Sequence, residues 1–287
     1  MEMAIGRLIL AATMALMFGP WMHGGGAMAA PVHPIVAFGD LFNQSRPTGY
    51  FLGASGGGQW LKPEAAAGLI PGGENYRLYA LSGEIGQGVG SKPAKGEEGP
   101  CGDTWYVTLS PFPPGRGNLV AVAGPWNAMP RPVKLISTER QVYKDAAAEI
   151  LKSKGIANPK VILTQVIRVD LDGDGLEEVL VSATNYARFE PGGRLTPDSR
   201  AGDYSLVFLR KEVQGKVVTS IIAGEYYPKA KKFNAPNEHR VIGVLDLNGD
   251  GILEIVLSGR YYEGDWVDAY RVDGTKIIKL FTMGCGA

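Results

Sequence analysis

Short apolar stretches, β-branched or alternating and each closed by Gly, Asp or Asn, run through the second half of the chain and read as strands. They fall into two similar sets. The first covers 161–169, 179–186, 204–209 and 217–223, and the second covers 240–245, 254–262, 266–272 and 276–281. Asp273-Gly274 supplies a hairpin turn between the last two. A stretch rich in Pro and Gly, 187–202, interrupts the first set and reads as a surface loop. Residues 138–154 carry the one convincing helical pattern. Thr138 and Gln141 stand at capping-box spacing, Val142, Ala146, Ile150 and Leu151 form an apolar stripe suited to core packing, and Gly155 ends the helix. Earlier, 76–81, 104–109 and 119–123 read as strands, so 30–137 is expected to be β-rich, either as further repeat sheets or as a separate β unit.

Each set is opened by the same pattern. Asp170-Leu171-Asp172-Gly173-Asp174-Gly175 leads through Leu176 and Glu177 to Glu178 and an aliphatic strand. Asp246-Leu247-Asn248-Gly249-Asp250-Gly251 leads through Ile252 and Leu253 to Glu254 and another. The copies lie 76 positions apart and agree at eight of seventeen positions, counting on to Tyr186 and Tyr262. Two unit charges about 4 Å apart repel by roughly 4 kcal/mol at an effective dielectric near 20, so five acids between Asp170 and Glu178 call for a counter-ion if they turn inward. Splaying into water would explain the charges but not their spacing. Acids at positions 1, 3 and 5, Gly at 6 and a carbonyl at 7 follow the calcium-loop scheme, and an all-oxygen donor set suits Ca²⁺. An EF-hand places its closing Glu at position 12 between helices. Here position 12 is Val181 or Leu257, and the acid comes at position 9, at the start of a strand. The expected ligands are Asp170, Asp172, Asp174, the Leu176 carbonyl and Glu178, and in the second copy Asp246, Asn248, Asp250, the Ile252 carbonyl and Glu254. With Asn248 and Leu253 in place of Asp172 and Glu177, the second loop carries fewer charges and is expected to bind more weakly.

This loop with its following strand resembles the FG-GAP or VCBS-type repeat of integrin α-chain propellers and of bacterial surface proteins. The resemblance covers residues 160–287. It implies a mainly β fold of β-propeller-like repeat sheets, with two structural calcium ions in loops between strands and one helix beside them. It implies no reaction.

Composition narrows the setting. The 287 residues, 45% of them hydrophobic, suffice for a substantial core, and 40 Gly with 19 Pro favour many turns. Lys plus Arg equals Asp plus Glu, which gives no general reason to bind nucleic acid, and Lys229-Ala230-Lys231-Lys232 reads as a solvated loop. Arg7, an apolar run over 8–18 and Ala27-Met28-Ala29 have the layout of a signal peptide, so export to the periplasm or beyond is expected, with cleavage after Ala29. The run is too short for a transmembrane helix. In an oxidising compartment Cys101 and Cys285 are expected to pair. The expected organisation is a signal peptide over 1–29, a β-rich region over 30–137, then the helix and repeats over 160–225 and 238–287.

Other motifs carry less. The glycines of 83–90 lack the Gly-Lys-Ser/Thr order of a phosphate loop, and read as a flexible loop. Gly53 to Gly58 read as a turn, and Trp60 as buried. His33, in an expected mobile N-terminus, and His239 are too few for a His-based triad or zinc site. The chain is therefore expected to be an exported calcium-binding module for an unidentified protein or glycan, with no catalysis. The alternative is an exported carbohydrate-active enzyme, with Glu225, Glu263, Asp265 and Asp268 as acids outside the loops.

Overall fold

The structure is a computed structural model that describes residues 30–39, 47–113, 117–186 and 195–286. The expected signal peptide and the first part of the 187–202 loop lie outside them. The fold is mainly β, as the strand patterns predict.

The first sheet is built from β1 (Val32–Phe38), β2 (Thr48–Gly56), β3 (Gln59–Leu61), β4 (Asn75–Ala80), β5 (Gly83–Gly90), β6 (Ala94–Lys95), β7 (Trp105–Ser110) and β8 (Leu119–Val122). Its neighbours run β3-β2-β1-β8-β4-β5-β7-β6, and β2 also pairs with β7. That extra pairing closes β1, β2, β7, β5, β4 and β8 into a barrel, all antiparallel. The N-terminal region is thus a closed barrel and not a further meander. Strand alternation sorts its side chains. Val36, Phe38, Phe51, Leu78, Val107 and Ala121 fill the interior with Tyr76. Ile35, Ala37, Leu52, Val120 and Val122 face outward and are also buried.

What buries them is the second repeat: β14 (Glu238–Leu245), β15 (Glu254–Tyr261), β16 (Gly264–Asp273) and β17 (Lys276–Gly286), a four-stranded antiparallel meander. Its Ile242, Leu245, Val256, Val267 and Phe281 pack on the barrel wall. Its other face, with Val244, Ile255 and Leu257, packs on Ile167, Leu180 and Val207 of the first repeat. That repeat is β10 (Leu163–Val169), β11 (Glu178–Thr184), β12 (Asp203–Val213) and β13 (Lys216–Tyr227), with β9 (Lys134–Leu135) added at the β10 edge. Gln165 and Val241 hold equivalent places in the two repeats. The Gln165 amide donates to the Val241 carbonyl and accepts its N–H, both at 3.0 Å.

Two helices are present among the described residues, the short α1 (Pro63–Ala66) and α2 (Gln141–Ser153), which covers the outer face of the first repeat. The expected capping box is not formed: Arg140 stands at the N-cap with no side-chain bond. The local reason is a competing turn, in which the Ser137 hydroxyl accepts the Glu139 N–H. The buried face also rotates from the expected stripe. Ala147 and Leu151 are its centre, and Val142 is 53% exposed.

Four other expectations are corrected. Residues 83–90 form strand β5, not a loop. Gly53 to Gly56 belong to β2, and only Gly57-Gly58 turn. His33 is fixed in β1, with its Nδ1 3.1 Å from the Ala123 carbonyl and its ring edge-on to Trp126. Trp60 is half-buried against Phe281. Cys101 and Cys285 are joined as a disulfide, with Cα atoms 5.0 Å apart.

Candidate metal centre

Both loops share one frame of backbone-to-carboxylate bonds. Gly173, Gly175, Gly249 and Gly251 have φ between 79° and 88°, which only glycine adopts at low cost. This winding turns backbone N–H groups toward the first acid. Asp170 accepts Gly173 N–H at 2.6 Å and Gly175 N–H at 3.1 Å; Asp246 accepts Gly249 N–H at 2.6 Å and Gly251 N–H at 2.9 Å. Asp174 and Asp250 accept from Leu176 and Ile252 at 2.8 and 2.9 Å. Glu178 and Glu254, buried at their strand starts, accept from Leu171 and Leu247 at 2.8 and 2.9 Å. Each loop is therefore shaped by its own carboxylates, which keep further oxygen lone pairs available.

The two loops are joined. Leu253 donates its N–H to the Leu171 carbonyl at 2.8 Å. Arg131, from the segment that follows the barrel, donates to the Asp170 carbonyl at 2.6 Å, to Leu171 at 3.0 Å and to Gly251 at 2.6 Å. Trp126 lies against Gly249 and donates to the Asp246 carbonyl at 2.8 Å. Ala128 accepts the Asp246 N–H at 2.8 Å. None of this was legible in the motif, because these partners lie roughly forty to 120 positions away and carry no pattern of their own.

The loops differ in how their charge is met. In the first, one oxygen each of Asp170, Asp172 and Asp174 lies within 4.8 Å of the others. That spacing suits oxygens around a hard cation at about 2.4 Å. Lys211, on β12, already reaches into this loop, 2.6 Å from Asp172 and 2.7 Å from Glu178. Burial alone would raise the Asp172 carboxyl, but the Lys211 ammonium outweighs it and holds the group below its ordinary range. Burial likewise pulls Lys211 down, and its two carboxylates more than reverse that. Glu177 turns to Lys134 at 2.6 Å and Arg168 at 2.8 Å, which meet its charge.

In the second loop Arg271 has the place of Lys211, but it pairs with Asp250 at 3.0 Å and not with Glu254. Glu254 is fully buried, and its Oε1 has no hydrogen-bond partner. Burial pushes its carboxyl up to about 8. Asn248 donates to Asp250 at 3.0 Å. The all-oxygen donor sets suit a hard divalent cation, but among the described residues only Asp170, Asp172 and Asp174 of the first loop converge; in the second loop the sign is the orphan Glu254 oxygen. Leu176 is 50% exposed and Ile252 half-buried.

The acids outside the loops do not assemble. Glu225 accepts from Tyr227 and from Asn237, and Glu263 is exposed. Asp265 and Asp268 stand on opposite faces of β16. Asp268 accepts from Trp266 and Tyr270 at 3.2 and 3.0 Å, whereas Asp265 accepts from Tyr50 on the barrel at 2.6 Å. No helix among the described residues is long and apolar enough to cross a membrane. No family model, curated protein or solved structure matches the chain.

Proposed function

We propose that this is an exported β-repeat protein that binds calcium in its two Asp-rich loops and presents a surface to a protein or glycan partner without catalysing a reaction. The observation that carries the reading is the buried, unpartnered Glu254 oxygen at the base of a loop whose other donors are all oxygens. Asp170, Asp172, Asp174 and Glu178 would hold one ion, and Asp246, Asn248, Asp250 and Glu254 the other, with the Leu176 and Ile252 carbonyls. The resemblance to FG-GAP or VCBS repeats supports the same reading. A bound ion supplies positive charge where the chain has gathered carboxylates.

The residues do the rest. Glycines wind the loops, Glu178 and Glu254 anchor them to their strands, and Arg131 locks one to the other. Calcium that binds only these folded loops stabilises the fold by mass action. Extracellular calcium and a Cys101–Cys285 disulfide belong to the same compartment, which supports the reading of 1–29 as a cleaved export signal. Calorimetric titration of calcium into chelator-stripped protein tests the proposal: two sites are expected, and absence of any binding heat together with an unchanged melting curve overturns it.

A further inference from the structure

A further cavity lies away from both loops. It has a volume near 570 Å³ and opens between the barrel and the start of β16. Four aromatic rings stand in its lining. Phe38 and Phe112 meet at 4.8 Å between ring centres, and Tyr50 and Tyr106 at 5.6 Å. Asp265 also lines it, only 8% exposed. One of its oxygens takes the Tyr50 hydroxyl at 2.6 Å. The other faces Gly39, where a Cβ would come within 2.5 Å of it. Glycine at that place leaves the carboxylate room.

Among the described residues, no Lys, Arg or His forms an ion pair with Asp265. The one cationic side chain of the lining, Lys95, points to the exposed Asp103 at 2.9 Å and forms no ion pair with Asp265, while Glu97 adds a negative charge. Burial raises the Asp265 carboxyl, against the opposing Tyr50 bond. A cavity of this size, mostly apolar, with a few convergent polar groups, is built like a small-molecule site. A neutral sugar would leave the acid's charge uncompensated. An ammonium group would pair with it while aromatic faces surround the rest of the ligand.

We infer that this cavity binds a small organic cation, a primary amine carried on an apolar or aromatic body, with Asp265 as its counter-ion and Phe38, Tyr50, Tyr106 and Phe112 as its walls. The inference does not depend on calcium in the loops.

Benzylamine and benzyl alcohol have the same ring and nearly the same size, and differ in the ammonium. Titration of each into the full chain, followed by calorimetry, should give a Kd at least tenfold lower for benzylamine. Asp265→Asn should erase that preference, and Tyr106→Ala should weaken both probes. Equal affinity for the two probes, no saturable benzylamine binding, or a folded Asp265→Asn variant that keeps the preference overturns the inference. So does tighter binding of methyl glucoside, which would assign the cavity to neutral polyols. Should Asp265→Asn fail to fold, the comparison of probes on the unmodified chain decides alone.

Discussion

Leu253 donates its backbone N–H to the Leu171 carbonyl across 2.8 Å, and so fastens the second Asp-rich loop to the first. The two loops are 76 positions apart in sequence yet form one structural unit. Arg131 completes the link with three carbonyl bonds, one of them to the second loop.

Arg131→Met should loosen both loops together. Hydrogen bonds from a charged donor are each worth about 1.5–3 kcal/mol, and their loss leaves carbonyls partly buried. A stability loss of about 3 kcal/mol is expected. Calcium titration should show weaker binding at both sites, where a change confined to one loop would speak against the shared unit.

Glu254 and Lys211 should respond in opposite ways. In chelator at pH 9, above the raised value of its carboxyl, Glu254→Gln removes a buried uncompensated charge and should raise the melting temperature, while abolishing calcium's effect on the second loop. Lys211→Met leaves Glu178 buried without its cation, and should cost about 3–5 kcal/mol in chelator. Calcium should then recover more stability than it adds to the unmodified chain. Melting curves of both variants with and without calcium check the pair.

Gln165→Leu strips partners from both backbone groups of Val241 and from the Ser182 hydroxyl, which donates to Gln165 at 3.0 Å. All are buried, so a loss of about 2–3 kcal/mol is expected in urea unfolding.

His239 is half-buried edge-on to Trp266, and its Nδ1 is shut off from solvent without a hydrogen-bond partner. Burial lowers its pKa from 6.5; Glu225 and Asp268 oppose this and Lys279 adds to it. The folded state thus binds this proton less readily than the unfolded chain. The contribution is whole above about 6.5 and is lost as pH falls from there through the lowered folded value. His239→Phe should flatten the acid side of the stability–pH curve in that window.

Reduction of Cys101–Cys285 opens a closure of 184 residues. The chain-entropy account gives about 5 kcal/mol for so long a closure, and disulfides typically deliver about 2–4 kcal/mol of it, read as a melting temperature lower by several degrees in reductant.

Much of this was legible in sequence, for a local reason. Asp170, Gly173, Asp174 and Gly175 act on one another within six residues, so their spacing declares the loop. The β-branched runs behind them declare the strands. Strand β5 was hidden because its glycines answer to distant neighbours: a Cβ on Gly90 would strike the Tyr76 ring at 2.3 Å, and one on Gly88 the Pro111 carbonyl at 2.6 Å. Lys211 and Arg271 were hidden for the same reason. Each lies on a partner strand, and only strand pairing brings it to its acid.

The central claim is best tested by calorimetric melting of the unmodified chain in excess EGTA and again in saturating calcium. A calcium concentration about 100 times the dissociation constant should add about 2.7 kcal/mol per site. For a chain of this size that is a rise of about 5–10 °C for one site alone. A melting temperature that is the same in calcium and in EGTA would contradict the account.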